Sequence, residues 1–222
     1  MTLIHAGALL DRAPGRKYLG ALDFAEIAPA EPLPRAVTVR RWRDDLPDGF
    51  ITSFVVPKAA CRSAKGALRF DDAMSAAFEW ARESADALGA RFVVVPTTHD
   101  LTTGQRDRDL LAAWVERFAA PEGRELVWHP SGLWEHEIAA PFARKLGVRL
   151  AFDPLGTEPA DEPLLYARLR AFGARAKFTE TLLLDALDAL TSSDAEEAFV
   201  AIESPRSFKE ATRLAELARA DA

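Results

Sequence analysis

Three of the four histidines in this chain stand where short apolar runs stop: His5, His99 and His129. Glu26, Asp153 and Glu203 close other runs, and Lys58 and Arg168 stand at the ends of two more. Imidazoles and carboxylates gathered in a ring can ligate a divalent cation or move protons, and cations beside them can hold a carboxylate or phosphate by charge-assisted hydrogen bonds. No compact ligand spacing accompanies these residues, so a metal ring is one reading of them and a hydrogen-bonded polar plug is the other. Lys58, Arg168 and Arg170 divide in the same way. They suit an anionic ligand, or they neutralise Glu26 and Asp153, as partly buried carboxylates require.

Other candidates carry less chemistry. Thr97, Thr98, His99, Asp100, Thr102, Thr103 and Gly104 make a polar loop after an apolar run, placed to touch a ligand or to cap the next helix, and capping is the expected role. Trp128 and Trp134 flank His129 and could line a pocket for a flat ring or sugar, whereas Trp42, Trp80 and Trp114 fall on helical patterns and read as packing. The cluster Arg35, Arg40, Arg41 and Arg43 is followed at once by Asp44, Asp45 and Asp48, which reads as a solvated helix face. There is no glycine-rich phosphate loop, no G-x-S-x-G elbow and no Cys-x-x-Cys. The single cysteine, Cys61, excludes an internal disulfide and fits a reducing cytosol.

The elements that would position these residues alternate along the whole chain. Short apolar runs suited to strands buried on both faces lie at Thr2 to Ala6, Leu22 to Ala28, Ile51 to Pro57, Arg91 to Pro96, Glu125 to His129, Val148 to Asp153, Leu164 to Leu169 and Ala198 to Glu203. Between them, helical periodicity appears at Ala36 to Asp45, Phe70 to Leu88, Asp107 to Ala119, Glu135 to Leu146 and Thr179 to Leu190, with a last helix at Ser207 to Ala220. This order predicts an α/β fold, a TIM-like (β/α)8 barrel occupying residues 1–222 as one domain. Two crossovers are irregular. Only Lys17 to Ala21 can serve as the first, and the sixth, Leu155 to Pro163, is short and proline-rich. Barrel enzymes place chemistry at the C-terminal ends of their strands, which is why the residues above matter.

Composition narrows the partners. With 222 residues, 49% hydrophobic and 28% charged, the chain can bury a large core, and a formal charge of −6 opposes diffuse binding to nucleic acid or an anionic membrane. The N-terminus lacks the basic segment and length of a signal peptide, and no apolar run approaches a membrane span, so the expected location is the cytoplasm. Nothing in the residues names a cofactor or an oligomeric state.

A resemblance adds to this reading. The stretch LDFAEIAPAEPLPRAVTVRRWRDDLPDGFITSFVVPK carries a strand ending in Glu26, a helix with Trp42 and a Pro-x-Gly-Phe turn at Pro47, Gly49 and Phe50; His129, Pro130, Ser131, Asp153, Tyr166, Arg168, Leu169 and the closing SFKEATRLAEL segment follow in order. Together these resemble the YecE-like family, the domain of unknown function 72, which implies a TIM-like barrel of undetermined activity. The chain departs from that pattern at His5, Ala6 and Gly7, at Ala28, Pro29 and Ala30, at Leu126 and Trp128, at Arg170, and at Glu203 and Ser204, where the family usually carries other polar groups.

Three functional expectations result. The leading one is a small polar or anionic ligand bound at the C-terminal ends of the strands among Glu26, Lys58, His99, His129, Asp153, Arg168 and Glu203, with any activity hydrolytic or isomerising. The second is a non-catalytic binding or scaffold protein that has lost the family's pocket. The third is a metal-dependent hydrolase acting on phosphodiesters or nucleic acid, drawn from analogy with other barrels.

Overall fold

The structure, a computed structural model, describes residues 2–118, 123–171 and 176–220. The elements run β1 (Leu3–Leu10), α1 (Arg16–Leu19), β2 (Phe24–Ile27), α2 (Ala36–Asp44), β3 (Ile51–Val55), α3 (Lys58–Cys61), β4 (Arg62–Ser63), β5 (Gly66–Ala67), α4 (Asp72–Leu88), β6 (Phe92–Pro96), α5 (Gln105–Phe118), β7 (Glu125–His129), α6 (His136–Leu146), β8 (Arg149–Phe152), β9 (Leu164–Arg170), α7 (Glu180–Thr191), β10 (Glu197–Glu203) and α8 (Ser207–Ala220). Eight of the strands close in the order β1-β10-β9-β8-β7-β6-β3-β2, and β4 and β5 form a small antiparallel hairpin apart from them. The expected (β/α)8 barrel is therefore the fold. The irregular crossovers also stand: the first holds only the single turn α1, and no helix lies between β8 and β9.

The residues explain the elements. Phe92 to Val95 are wholly buried, as the β-branched run of a strand covered on both faces should be. Helix α4 begins where the Asp71 carboxylate accepts the Met74 N–H at 2.8 Å and ends at Gly89, whose φ of +65° is the left-handed stop that glycine adopts without strain. Its buried stripe is Met74, Phe78, Ala81, Ala85 and Leu88. The helix expected to reach Ala119 is seen to Phe118; Ala119 lies outside the described residues.

The chain divides into two compact bodies. One holds the described residues up to Ile27, Leu46–Ile51 and those from Ala151 onward. In it β1 lies parallel to β10, Leu3 opposite Glu197 through Ala8 opposite Ile202, and β10 lies parallel to β9, Glu197 opposite Leu164 through Glu203 opposite Arg170. The other body, Ala28–Asp45 and Thr52–Leu150, packs Phe78, Trp114 and Phe118 edge to face or stacked at 5.1 to 5.6 Å, and the Trp114 indole N–H donates to the Ala60 carbonyl at 2.9 Å. Burial of each such ring contributes about 1.5–3 kcal/mol.

Candidate functional site

Strand β2 is four residues long, and alternation puts Phe24 and Glu26 on one face. That face is the barrel interior. Phe24 meets Tyr166 at 6.3 Å and Phe199 at 5.2 Å between ring centres, and Glu26 meets Tyr166 and Arg168. These three partners come from β9 and β10, neither of which is hydrogen-bonded beside β2, so the contacts cross the lumen. Glu26 Oε1 accepts from Arg168 Nε at 3.0 Å and Nη2 at 2.7 Å, and Glu26 Oε2 accepts from the Tyr166 hydroxyl at 2.7 Å.

Glu26 is fully buried and Arg168 is 7% exposed. A lone charge there would cost several kcal/mol, so each makes the other tenable. Burial alone would pull the Arg168 guanidinium down, but the charge and hydrogen bonds of Glu26, with Tyr166 and Glu203 adding to them, hold it above its ordinary value. Arg168 also lies 3.8 Å from Glu203 Oε2, and Glu203 in turn accepts from Arg170 Nε at 2.7 Å and Nη2 at 3.3 Å. Residues 166, 168 and 170 share one face of β9, which ends at Arg170, and Glu203 ends β10. The result is a row of alternating charge, Glu26, Arg168, Glu203, Arg170, that begins in full burial and ends with Glu203 about a third and Arg170 half exposed.

Of the expected site residues, the structure thus joins Glu26, Arg168 and Glu203 directly. Asp153 follows β8 and accepts the Leu155 N–H at 3.0 Å, which fixes the turn leaving that strand. Lys58, His99 and His129 belong to the other body. Lys58 is exposed at the start of α3, His99 is exposed in the loop after β6, and His129 is the half-buried last residue of β7. Sequence reasoning assigned no role to Tyr166, and its signal was the alternation with Arg168 and Arg170.

Two expectations are corrected. His5 does not end a strand: β1 continues to Leu10, and His5 sits near its N-terminal start. There Nδ1 lies 2.8 Å from Asp23 and Nε2 3.2 Å from Glu197, while the ring stacks on Phe199 at 4.7 Å. Partial burial would raise the Asp23 carboxyl, but the hydrogen bond and charge of His5 outweigh it and hold it below the usual Asp range. This is the end of the barrel where residues serve stability. Trp128 and Trp134 are packed in the core rather than open to a ligand. They are 1% and 5% exposed and pack on Phe142 of α6, and their indole N–H groups donate to the Thr97 hydroxyl and the Leu101 carbonyl. Trp128 therefore faces the helices, and His129, one residue on, faces the opposite way.

The polar loop after β6 is tied to Asp107 of α5 and to Arg62. Asp107 accepts the Thr102 N–H at 2.8 Å and its hydroxyl at 2.7 Å, and Asp100 accepts from the Thr98 hydroxyl and from Arg62. The Thr98 hydrogen bond, ahead of the Arg62 charge, lowers the Asp100 carboxyl. Among the described residues, no group of three or more His, Cys, Asp and Glu side chains could hold a metal ion. No helix of the described residues is long and apolar enough to cross a membrane.

No family model matches the sequence, and no curated protein does. Solved structures do share its fold. A DUF72 family protein from Enterococcus faecalis superposes with a TM-score of 0.71 at 12% identity, over 99% of this chain and 98% of that one. A DUF72 family protein from Thermotoga maritima follows at 0.67 and 13%, over 98% and 99%. Endonuclease IV from Thermus thermophilus, at 0.60 and 15% over 98% and 100%, shows the same barrel.

Proposed function

We propose that this chain is a divergent YecE-like barrel of the DUF72 kind which binds a small polar ligand, neutral or bearing both signs, at the C-terminal ends of β9 and β10. The single observation that carries this is the charge row that climbs from buried Glu26 to half-exposed Arg170. Its inner half is fully satisfied within the chain, so Glu26, Tyr166 and Arg168 act as a rigid support. Its outer half, Glu203 and Arg170, offers an acceptor and a forked donor to solvent. Two carboxylates balance two guanidiniums, so a simple anion would have to displace Glu203, whereas a hydroxyl-rich or zwitterionic molecule can use both groups at once. Asp153 is a further carboxylate of the same body that follows a strand end. A proton transfer at this site would use Glu203, the carboxylate of the row that a ligand reaches.

The test is a titration with D-ribose, succinate and inorganic phosphate, followed by the Nε–H resonances of Arg168 and Arg170. The expected result is a saturable shift with D-ribose that is weakened about tenfold or more in Arg170→Ala. A second reading, a scaffold in which the row only holds the barrel, is favoured by the complete internal pairing of Glu26. It becomes the conclusion if none of the three compounds moves either resonance.

A further inference from the structure

On the outside of the barrel, a groove of about 810 Å3 opens in the body that holds α1, α7 and α8. None of the four residues of the charge row lines it. Its floor is apolar: Phe178 and Leu183 are buried, and the half-exposed Phe208 ring stacks on Tyr18 at 5.2 Å. Tyr18 is itself fixed, since its hydroxyl accepts the Ala8 N–H and donates to the Phe24 carbonyl, both at 2.7 Å. Phe208 is therefore a preset platform rather than a mobile flap.

The rim is positive. Lys17, Lys177, Arg206 and Lys209 line it, all exposed, and among the described residues none has an ion-pair partner. Lys17 approaches the Phe208 ring to 5.8 Å. The acidic residues of the same groove are already committed. Glu180 and Glu216 both bind Arg213, and the buried Glu210 accepts the Phe178 N–H at 2.9 Å and the Ser204 hydroxyl, which ties the segment before α7 to α8. Four cations without an ion-pair partner among the described residues, set around an apolar floor in a chain whose formal charge is −6, concentrate positive potential at one place. The cavity is also the size that small-molecule sites occupy.

We infer that this groove binds an organic anion: an apolar or aromatic body against Phe208, Phe178 and Leu183, with a phosphate or carboxylate head held by Lys209, Arg206 and Lys177. Each part of the ligand answers one part of the groove. The head alone would meet flexible, solvated cations and bind weakly, and the body alone would leave the rim unpaired.

The experiment is calorimetric titration of the intact chain with 1-naphthyl phosphate, and in parallel with inorganic phosphate and with 1-naphthol. One equivalent of 1-naphthyl phosphate should bind saturably, with both partial probes about tenfold weaker or more. Arg206→Glu and Lys209→Glu alter exposed side chains and should leave the unfolding midpoint in place, and together they should weaken 1-naphthyl phosphate about tenfold or more. Absence of saturable binding overturns the inference, as does binding that survives both charge reversals. Inorganic phosphate binding as tightly as the aryl phosphate would also overturn it, because the apolar floor would then contribute nothing. Arg170→Ala should not change this titration, which separates the groove from the site on β9 and β10.

Discussion

Glu26 illustrates how one side chain can be fixed by partners 140 residues away. Among the described residues its three hydrogen bonds come from Tyr166 and Arg168, and it is 0% exposed, so water does not reach it. Removing one member of such a pair leaves the other charge buried and alone, which costs about 3–5 kcal/mol, whereas removing both can be nearly neutral. Arg168→Met should therefore lower the urea midpoint steeply, and Glu26→Gln with Arg168→Met should recover much of the loss. Equilibrium unfolding of the two single variants and the double variant measures this as a coupling energy. Additive losses would mean that the two side chains do not depend on one another. In the sequence, neutralising Glu26 is one of two readings of Arg168, beside an anion clamp. Glu26, Arg168 and Glu203 could be singled out because each stands near a strand end, but that two of them bind each other across the lumen depends on which strands face one another.

At the scale of elements, the eight strands were readable because strands covered on both faces leave unbroken apolar runs, and the helices because their buried stripes recur with their own period. The errors came where that signal fades. Ala6, Gly7 and Ala8 are small, so the apolar run reads as ending at Ala6, which places His5 at the wrong end of the barrel. The hairpin of β4 and β5, two residues each, is too short to leave a pattern. Gly7 has a physical reason to be small. A Cβ there would stand 2.6 Å from the Phe24 carbonyl oxygen and 2.6 Å from the Phe24 ring, so β1 and β2 approach too closely for any side chain. Because backbone cannot retreat as a flexible side chain can, Gly7→Ala should cost about 1–3 kcal/mol. Chemical denaturation checks it, and an unchanged midpoint would show that the two strands can separate without loss.

For the molecule as a whole, chain order and spatial order part company where the first strand and the last lie side by side in six consecutive register pairs. The helix α8 then returns from the C-terminal end of β10 across β1, burying Ala211, Leu214 and Ala215, and Arg219 near its end donates to the Ala21 carbonyl. The start of β1 and the end of α8 are consequently on the same side of the strands. If tertiary contacts rather than the order of synthesis specify this closure, the chain ends can be joined and a new pair opened elsewhere. The helix-free segment between β8 and β9 is the place to open it, since Gly156 and Glu158 are exposed and no ladder hydrogen bond crosses the bond between Thr157 and Glu158. A permutant beginning at Glu158, with residue 222 joined to residue 1 through about six Gly and Ser residues, should unfold in one cooperative transition with the far-ultraviolet circular dichroism of the parent. It would then present β9 and β10 ahead of β1 in the chain while keeping their register. A permutant that does not fold would show that the closure between β1 and β10 depends on the native chain order, and that the contacts described here do not by themselves specify it.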